Sequence, residues 1–218
     1  LKLDSTNGAA FDEFGESVAV DGTTIIVGAR QDSYNLNGVV GDELNVGSAY
    51  IFDRDLGGIN NWGLVKKLTL DASNGAAGDL FGDAVSISAD RVVVGASQDD
   101  YDLDGITGDE RDVGSAYIFE RNQNGTNQWG LVKKLVVDVT TGETIHEFGL
   151  ALTVVGDTLV VAAPFDSYDI DGVAGDEIRV GSVYVLERNQ GGANQWGRVK
   201  HITLKVGEAA ADELFGVS

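Results

Sequence analysis

The stretch FGESVAVDGTTIIVGA, from Phe14 to Ala29, sets a pattern that the rest of the chain repeats. Its opening Phe-Gly pair returns every 67 residues, at Phe81-Gly82, Phe148-Gly149 and Phe215-Gly216. Tryptophan keeps the same spacing at Trp62, Trp129 and Trp196. Because a fixed period identifies a repeat architecture, we predict a single repeat array over residues 1–218. Its units are residues 1–67, 68–134 and 135–201, followed by a partial fourth unit at 202–218.

Four short apolar runs lie within each unit, separated by turn residues. In the first unit they are residues 16–20, 24–28, 48–53 and 64–70. Runs of this length predict strands, and Asp21-Gly22 suits a tight hairpin between the first two. Four strands per unit fit a propeller blade better than a leucine-rich or helical repeat. The expected fold is therefore all-β, a propeller-like array of four-stranded blades with three full 67-residue repeats and a partial fourth.

The charge and hydropathy of the chain exclude two classes of interaction. It has 35 acidic and 15 basic residues and a formal net charge of -20. Such a surface repels the nucleic-acid backbone and anionic lipid headgroups, and it attracts cations. No apolar run of the sequence approaches the roughly 20 residues of a membrane-spanning helix. We therefore expect no nucleic-acid partner and no membrane span.

Several features argue against an enzyme. Cysteine is absent, which excludes thiolate nucleophiles, disulfides and cysteine-ligated zinc. The sequence also contains no phosphate-binding glycine loop and no nucleophile elbow. Paired acids such as Asp42-Glu43 recur in every unit, whereas a glycosidase needs one pair. The two histidines, His146 and His201, occupy different repeat positions, so we expect surface residues without a metal-binding or catalytic role.

An acidic loop follows the second strand of each unit, at residues 32–43, 99–110 and 166–177. Its alternating carboxylate and amide oxygens, a turn glycine and a further carboxylate match the six to eight oxygen ligands of Ca²⁺. The predicted ligands are Asp32, Asn35, Asn37, Asp42 and the Val39 carbonyl; Asp99, Asp102, Asp104, Asp109 and the Ile106 carbonyl; and Asp166, Asp169, Asp171, Asp176 and the Val173 carbonyl. The two asparagines predict weaker binding in the first loop. The alternative is that these residues only cap solvated turns, although repulsion among the carboxylates favours a bound cation.

The order of motifs in each unit resembles the FG-GAP repeat of integrin α-chain propellers and their bacterial relatives. Phe14-Gly15 is followed by Gly28-Ala29-Arg30 and then by the aromatic strand from Gly47 to Phe52, and the other units keep this order. The resemblance covers the whole chain. It implies a β-propeller, extracellular or at the cell surface, used for adhesion and protein contact. In the family the calcium loop lies between the Phe-Gly and Gly-Ala-Pro motifs. Here the loop follows both, so the ligand assignment rests on loop chemistry.

Three full units and part of a fourth cannot close a ring of about four to eight blades. Either the sequence is a piece of a longer propeller, or several chains complete one assembly, or the units stack openly. The leading hypothesis is a calcium-binding module that presents loops to a protein or glycan ligand at the cell surface. One alternative is a structural subunit that forms a homo-oligomer or head-to-tail polymer through its terminal strands. Another is a carbohydrate-binding lectin, although the tryptophans are expected to pack between units rather than to stack on sugars.

Overall fold

The computed structural model describes residues 1, 3, 8–36, 44–100, 112–123, 125–136, 146–167, 179–204 and 214–216. Within these residues the chain forms three four-stranded antiparallel sheets and no helix. The prediction of an all-β chain is confirmed. A helix long and apolar enough to cross a membrane is accordingly absent from the same ranges.

Each sheet is built from four consecutive strands. Sheet 1 contains β1 (Val18–Asp21), β2 (Thr24–Ala29), β3 (Ser48–Asp53) and β4 (Gly63–Leu68). Sheet 2 contains β5 (Phe81–Ser88), β6 (Arg91–Ala96), β7 (Ser115–Glu120) and β8 (Gly130–Val136). Sheet 3 contains β9 (Leu152–Val155), β10 (Thr158–Ala163), β11 (Ser182–Glu187) and β12 (Gly197–Ile202). Neighbours in sequence are also neighbours in space, so each sheet is an antiparallel meander.

Two-residue turns join the first and second strands of every sheet. In sheet 1, Asp21 pairs with Thr24 across a turn that begins at Gly22, whose φ of 58° lies in the left-handed region. Glycine adopts this conformation without a steric penalty, and Gly156 has the same φ in sheet 3. Sheet 2 uses Ala89, with φ of 52°. The hairpin predicted at Asp21-Gly22 is therefore present in all three sheets.

The strand bounds of sheet 1 differ from the predicted ones at its two edges. The third strand covers the predicted residues 48–53, whereas the first strand begins at residue 18 instead of 16. The fourth strand ends at Leu68 instead of residue 70. Beyond it, the Leu70 amide donates to the hydroxyl of Tyr34 at 2.9 Å, so this amide is bonded to a side chain rather than to a strand.

The hydrophobic core lies between neighbouring sheets. Ile26 and Leu68, on one face of sheet 1, are buried against sheet 2. Sheet 2 uses its other face, with Val93 and Ile118, to pack against sheet 3. Because both faces of sheet 2 are covered, its inner strand β6 contains a continuous apolar run, Val92-Val93-Val94.

The repeated Phe-Gly pair joins each sheet to the one before it. The Phe81 amide donates to the Val46 carbonyl of the first unit at 2.8 Å, and the Phe81 ring is fully buried. Gly28 lies so close to this pair that a Cβ atom there would overlap the Gly82 carbonyl. Phe148 makes the equivalent bond to the second unit at 3.0 Å. The motif therefore marks a packing joint where backbones approach closely, which requires glycine.

Two of the three tryptophans lie at the contacts between sheets, as predicted, whereas Trp62 is half-buried on the side of sheet 1 that faces away from sheet 2. Trp129 is buried in the core between sheets 1 and 2, and Trp196 in the core between sheets 2 and 3. The guanidinium of Arg121 lies 4.8 Å from the ring centroid of Trp129. Arg91 of sheet 2 covers the ring of Trp196 in the same way, also at 4.8 Å, which links two sheets through a cation–π contact.

The three sheets follow one another in a stack and do not close into a ring. The propeller-like arrangement and the number of blades therefore stay predictions. Within the described ranges, one face of sheet 1 and the opposite face of sheet 3 have no further sheet packed on them.

Candidate functional site

Four of the predicted calcium ligands belong to the described residues: Asp32, Asn35, Asp99 and Asp166. The others lie outside them, namely Asn37, Val39, Asp42, Asp102, Asp104, Ile106, Asp109, Asp169, Asp171, Val173 and Asp176. The three aspartates occupy one repeat position, just after the second strand of their sheet, and all three are buried. A buried carboxylate needs hydrogen bonds or a counter-charge, and the groups that supply them define the candidate site.

In sheet 1, Asp32 is held by donors from strands β3 and β4. The hydroxyl of Ser48 donates to its Oδ2 atom, and the hydroxyl of Tyr50 donates to the same atom at 3.0 Å. Nζ of Lys67 lies 2.5 Å from this oxygen. Tyr50 and Lys67 are direct cross-strand partners, so the strand register itself brings a hydroxyl and an ammonium to one carboxylate. The ammonium balances the buried negative charge.

Sheet 2 repeats this arrangement around Asp99, and in both sheets a second buried carboxyl group lies nearby, that of Asp12 in sheet 1 and that of Asp79 in sheet 2. The hydroxyl of Tyr117 donates to Oδ2 of Asp99 at 2.7 Å, and Nζ of Lys134 lies 2.7 Å from the same atom. Nearby, burial and the charge of Asp99 raise the pKa of Asp79 to about 7. The Ala76 amide donates to the Asp79 side chain at 2.6 Å. This cluster therefore contains two carboxyl groups and one ammonium.

Sheet 3 has histidine at both of the other charged positions. His146 stands where sheet 2 has Asp79, and His201 stands where it has Lys134. Nδ1 of His146 lies 3.0 Å from Oδ1 of Asp166, and Nε2 of His201 lies 3.6 Å from Oδ2. Burial alone would raise the pKa of Asp166, but hydrogen bonds from both histidines hold it below its ordinary value. The expectation that both histidines are surface residues is wrong for His146, which is fully buried because it partners this carboxylate.

The tyrosine of each cluster stays a hydrogen-bond donor. Burial and the adjacent aspartate raise the pKa of Tyr50, Tyr117 and Tyr184 above its ordinary value. Each hydroxyl therefore keeps its proton at neutral pH and continues to donate it to the aspartate. This chemistry favours a fixed structural anchor over proton transfer to a substrate.

The anchored aspartates also lie where the two ends of each acidic loop are hydrogen-bonded to each other. We call this part of the loop its neck. The Gly47 amide donates to the carbonyl of Asp32 at 2.9 Å, and the Asn45 amide donates to the hydroxyl of Ser33 at 3.0 Å. The other two loops have the equivalent bonds, from Gly114 to Asp99, Gly181 to Asp166, Asp112 to Asp100 and Arg179 to Ser167. Each loop therefore leaves and rejoins its sheet at a fixed point, as compact loops with close ends do.

Asp32, Asp99 and Asp166 differ in how many of their carboxylate oxygens have a described hydrogen bond or ion pair. The hydrogen bonds and ion pairs described for Asp32 and Asp99 all go to Oδ2. In Asp166, His146 also engages Oδ1. Among the described residues, no group of three or more acidic or histidine side chains is arranged to hold a metal ion. A calcium site therefore needs the loop residues beyond the neck, to which Oδ1 of Asp32 or Asp99 can add one ligand.

The sequence alone did not predict the partners of the aspartates. Ser48, Tyr50 and Lys67 all have counterparts at the 67-residue period, apart from the exchange of lysine for His201 in the third unit. Their recurrence alongside a recurring aspartate is the signal that points to them. Only the strand register, however, brings Tyr50 and Lys67 to the same carboxylate.

Comparison with known protein families agrees with the repeat. The FG-GAP repeat family model matches residues 1–52 and 62–119, together half of the chain. A search of curated proteins found no match. The two matched ranges contain the Phe-Gly pairs at Phe14 and Phe81 and the anchored aspartates Asp32 and Asp99. On this match, the chain belongs to the FG-GAP repeat family.

Proposed function

We propose that the chain is a calcium-binding, propeller-like module that presents its acidic loops for adhesion or protein contact, extracellularly or at the cell surface. FG-GAP repeats are structural and binding modules, which suggests protein interaction rather than catalysis. The observation that carries the proposal is the neck of the loop, fixed by a buried aspartate in all three sheets. A contact surface whose ends are fixed in advance loses less conformational freedom on binding.

Calcium is proposed to order the part of each loop beyond its neck. The second loop combines three further aspartates with an aspartate at the neck whose Oδ1 has no described partner, so it offers the most charge. The first loop has Asn35 and Asn37 in place of two carboxylates. In the third loop both oxygens of Asp166 already have partners. Because carboxylate number sets calcium affinity, the second loop is expected to bind most tightly.

Calorimetric titration of Ca²⁺ into chelator-treated protein tests this proposal. The wild type is expected to bind calcium with one site tighter than the others. The double variant Asp102→Asn, Asp104→Asn is expected to lose that site and keep the weaker binding. The control variant Asp55→Asn removes an exposed acid outside the loops and is expected to titrate like the wild type. If wild-type protein gives no binding heat and no rise in thermal midpoint with millimolar calcium, the calcium proposal is refuted.

A protein ligand fits the structure better than a glycan. A lectin site on the tryptophans needs an accessible indole face for the sugar ring. Two of the three tryptophans, Trp129 and Trp196, are buried, and each carries an arginine guanidinium on its ring; the third, Trp62, is half-buried. The three loops are acidic in sequence, which favours a ligand with a basic surface.

A further inference from the structure

Two of the three anchored aspartates have a lysine amine in direct contact with their carboxylate. Nζ of Lys67 lies 2.5 Å from Oδ2 of Asp32, and Nζ of Lys134 lies 2.7 Å from Oδ2 of Asp99. The aspartate side chains are 7% and 5% exposed, and the lysine side chains 25% and 18%. An amine and a carboxyl group held together away from bulk water are the two reactants of an amide bond.

The strand register holds each amine on its carboxylate. In sheet 1, Tyr50 and Lys67 are cross-strand partners, and the hydroxyl of Tyr50 donates to Oδ2 of Asp32 at 3.0 Å. Sheet 2 has the equivalent pairing and the equivalent hydrogen bond, at 2.7 Å. In both sheets the lysine Nζ lies 5.3 Å from the ring centroid of that tyrosine. Fixed neighbours therefore keep the two groups in contact, which removes the entropic cost of bringing them together.

We propose that each pair condenses to an intramolecular isopeptide bond, Asp32 with Lys67 and Asp99 with Lys134. Nζ of the lysine attacks Cγ of the aspartate, so the Nζ–Cγ bond forms and the Cγ–Oδ2 bond breaks. Two of the three ammonium protons leave with Oδ2 as one water molecule. The step is balanced between the ammonium and the carboxylate, and it needs neither an oxidant nor a co-reactant. Oδ1 stays on Cγ as the amide oxygen and can still serve as a calcium ligand.

Condensation removes two charges from the protein interior. A buried ion pair has a desolvation cost that its mutual attraction only partly offsets, whereas a neutral amide costs less to bury. The tyrosine hydroxyl that donates to Oδ2 stabilises the negative charge that develops on this oxygen as its bond to Cγ breaks. Burial of the reactants and a donor on the leaving oxygen therefore both favour the reaction.

A second buried carboxyl group near each pair can carry the protons. In sheet 2 this group is Asp79, which is 2% exposed. Burial and the charge of Asp99 raise its pKa to about 7, and the charge of Lys134 acts in the opposite direction. Asp79 can thus release and take up a proton near neutral pH, as a general acid and base must. We assign to it the transfer of a proton from Nζ to Oδ2, and Asp12 is its equivalent in sheet 1.

Sheet 3 lacks the groups that the reaction needs. His201 replaces the lysine, and an imidazole cannot form a stable amide with Asp166. His146 replaces the second carboxyl group. The lysine and the second carboxyl group are therefore present together in sheets 1 and 2 and absent together in sheet 3, as expected of two groups that act in one reaction.

Each bond ties the neck of an acidic loop to the fourth strand of its sheet. Asp32 follows β2, and Lys67 lies on β4. A covalent link between them restricts the unfolded chain as a disulfide does, in a sequence that contains no cysteine. The inference depends neither on calcium nor on a binding partner, so the failure of the proposed function would leave it unchanged.

Mass spectrometry of the full chain, folded and then denatured for measurement, tests the inference. We expect a mass lower than that of the sequence by two water molecules. An Asp-Gly pair such as Asp21-Gly22 can also lose water by forming a succinimide, so a tryptic digest must locate the loss. Trypsin does not cleave after an acylated lysine. The digest should therefore contain two branched peptides, residues 31–54 joined to 67–91 and residues 92–111 joined to 134–179.

Conservative variants separate the covalent bond from the ion pair. Lys67→Arg and Lys134→Arg keep the positive charge, but each should abolish one branched peptide and raise the mass by one water relative to the wild type. The matched controls Lys66→Arg and Lys133→Arg change the neighbouring lysine on the same strands and should keep both branched peptides. Asp79→Asn should slow formation of the bond at Lys134 by about tenfold or more after refolding, and the bond at Lys67 should form at the wild-type rate.

Three results would overturn the inference or one of its steps. If the folded wild type contains neither branched peptide, the two lysines form ion pairs only and the inference fails. It fails equally if the branched peptides form as fast in protein kept unfolded in urea, because the reaction then does not depend on the contacts in the fold. If Asp79→Asn forms its bond at the wild-type rate, the assignment of Asp79 as proton carrier is wrong.

Discussion

Glu147 is a half-buried acid whose replacement should change how stability depends on pH. Burial and the charge of Asp112 raise the pKa of its side chain to about 7 in the folded chain. In the unfolded chain the pKa returns to about 4.3. Between these values the folded state keeps a proton that the unfolded state has lost. The protonated side chain therefore stabilises the fold in acid, and this contribution is lost as the pH rises through 7.

The expected size of the effect follows from the two pKa values. A difference of about 2 to 3 units corresponds to at most about 4 kcal/mol, and partial exposure to solvent reduces it to about 1 to 2 kcal/mol. Glu147→Gln cannot ionise, so it should match the wild type near pH 4 and exceed its stability by that amount at pH 8. The backbone also accepts an apolar side chain here. Leu80 occupies the same repeat position with φ of 57°, close to the 50° of Glu147, so Glu147→Leu should behave similarly.

Urea denaturation of calcium-free protein at pH 4 and pH 8 measures the difference. Asp55→Asn serves as a control for the loss of one exposed negative charge. The reasoning is refuted if the wild type and Glu147→Gln show the same change in the free energy of unfolding between the two pH values.

Four further substitutions test the packing joints and the anchors. Phe81→Ala removes a fully buried ring between two sheets and should cost about 3 to 5 kcal/mol, whereas Phe14→Ala on the uncovered face should cost less than half as much in urea denaturation. Gly95→Ala places a Cβ atom on a backbone carbonyl of the next unit, and a loss of about 1 to 3 kcal/mol should lower the thermal midpoint. Lys134→Met leaves the buried carboxylate of Asp99 without its ammonium. It should cost about 3 kcal/mol or more at pH 8, and a loss below about 1 kcal/mol would contradict the anchor.

The strands could be predicted because their signal is local and repeated. The run at residues 48–53 is apolar, aromatic and bounded by polar residues, and its bounds agree with the structure. The end of the fourth strand depends on a distant hydroxyl, that of Tyr34, which bonds the Leu70 amide. A local sequence pattern cannot predict a hydrogen bond to a residue so far away in the chain. For the same reason, the period predicts that units recur but not whether the sheets close into a ring.

The candidate site was only partly predictable. The acidic loops are recognisable from their amino-acid composition, and this composition identified Asp32 and Asp99 as members of a recurring cluster. Their burial was not visible, because it depends on the hydroxyl and ammonium that strand pairing brings to them. Tyr50 and Lys67 read as ordinary residues of amphipathic strands. Loop composition predicts that the aspartates recur, but it does not predict that a lysine balances their buried charge. That prediction requires the register of the third and fourth strands.

The two histidines show why positions of a repeat must be compared in pairs. Taken singly, His146 and His201 each break the repeat, which is why they were assigned to the surface. In the structure they face one carboxylate, that of Asp166, at the positions where sheet 2 has Asp79 and Lys134. The exchange removes a carboxyl group and an ammonium together. His146 lies on Oδ1 of Asp166 and His201 lies on Oδ2, so the two substitutions act on the same buried carboxylate and occur in the same unit.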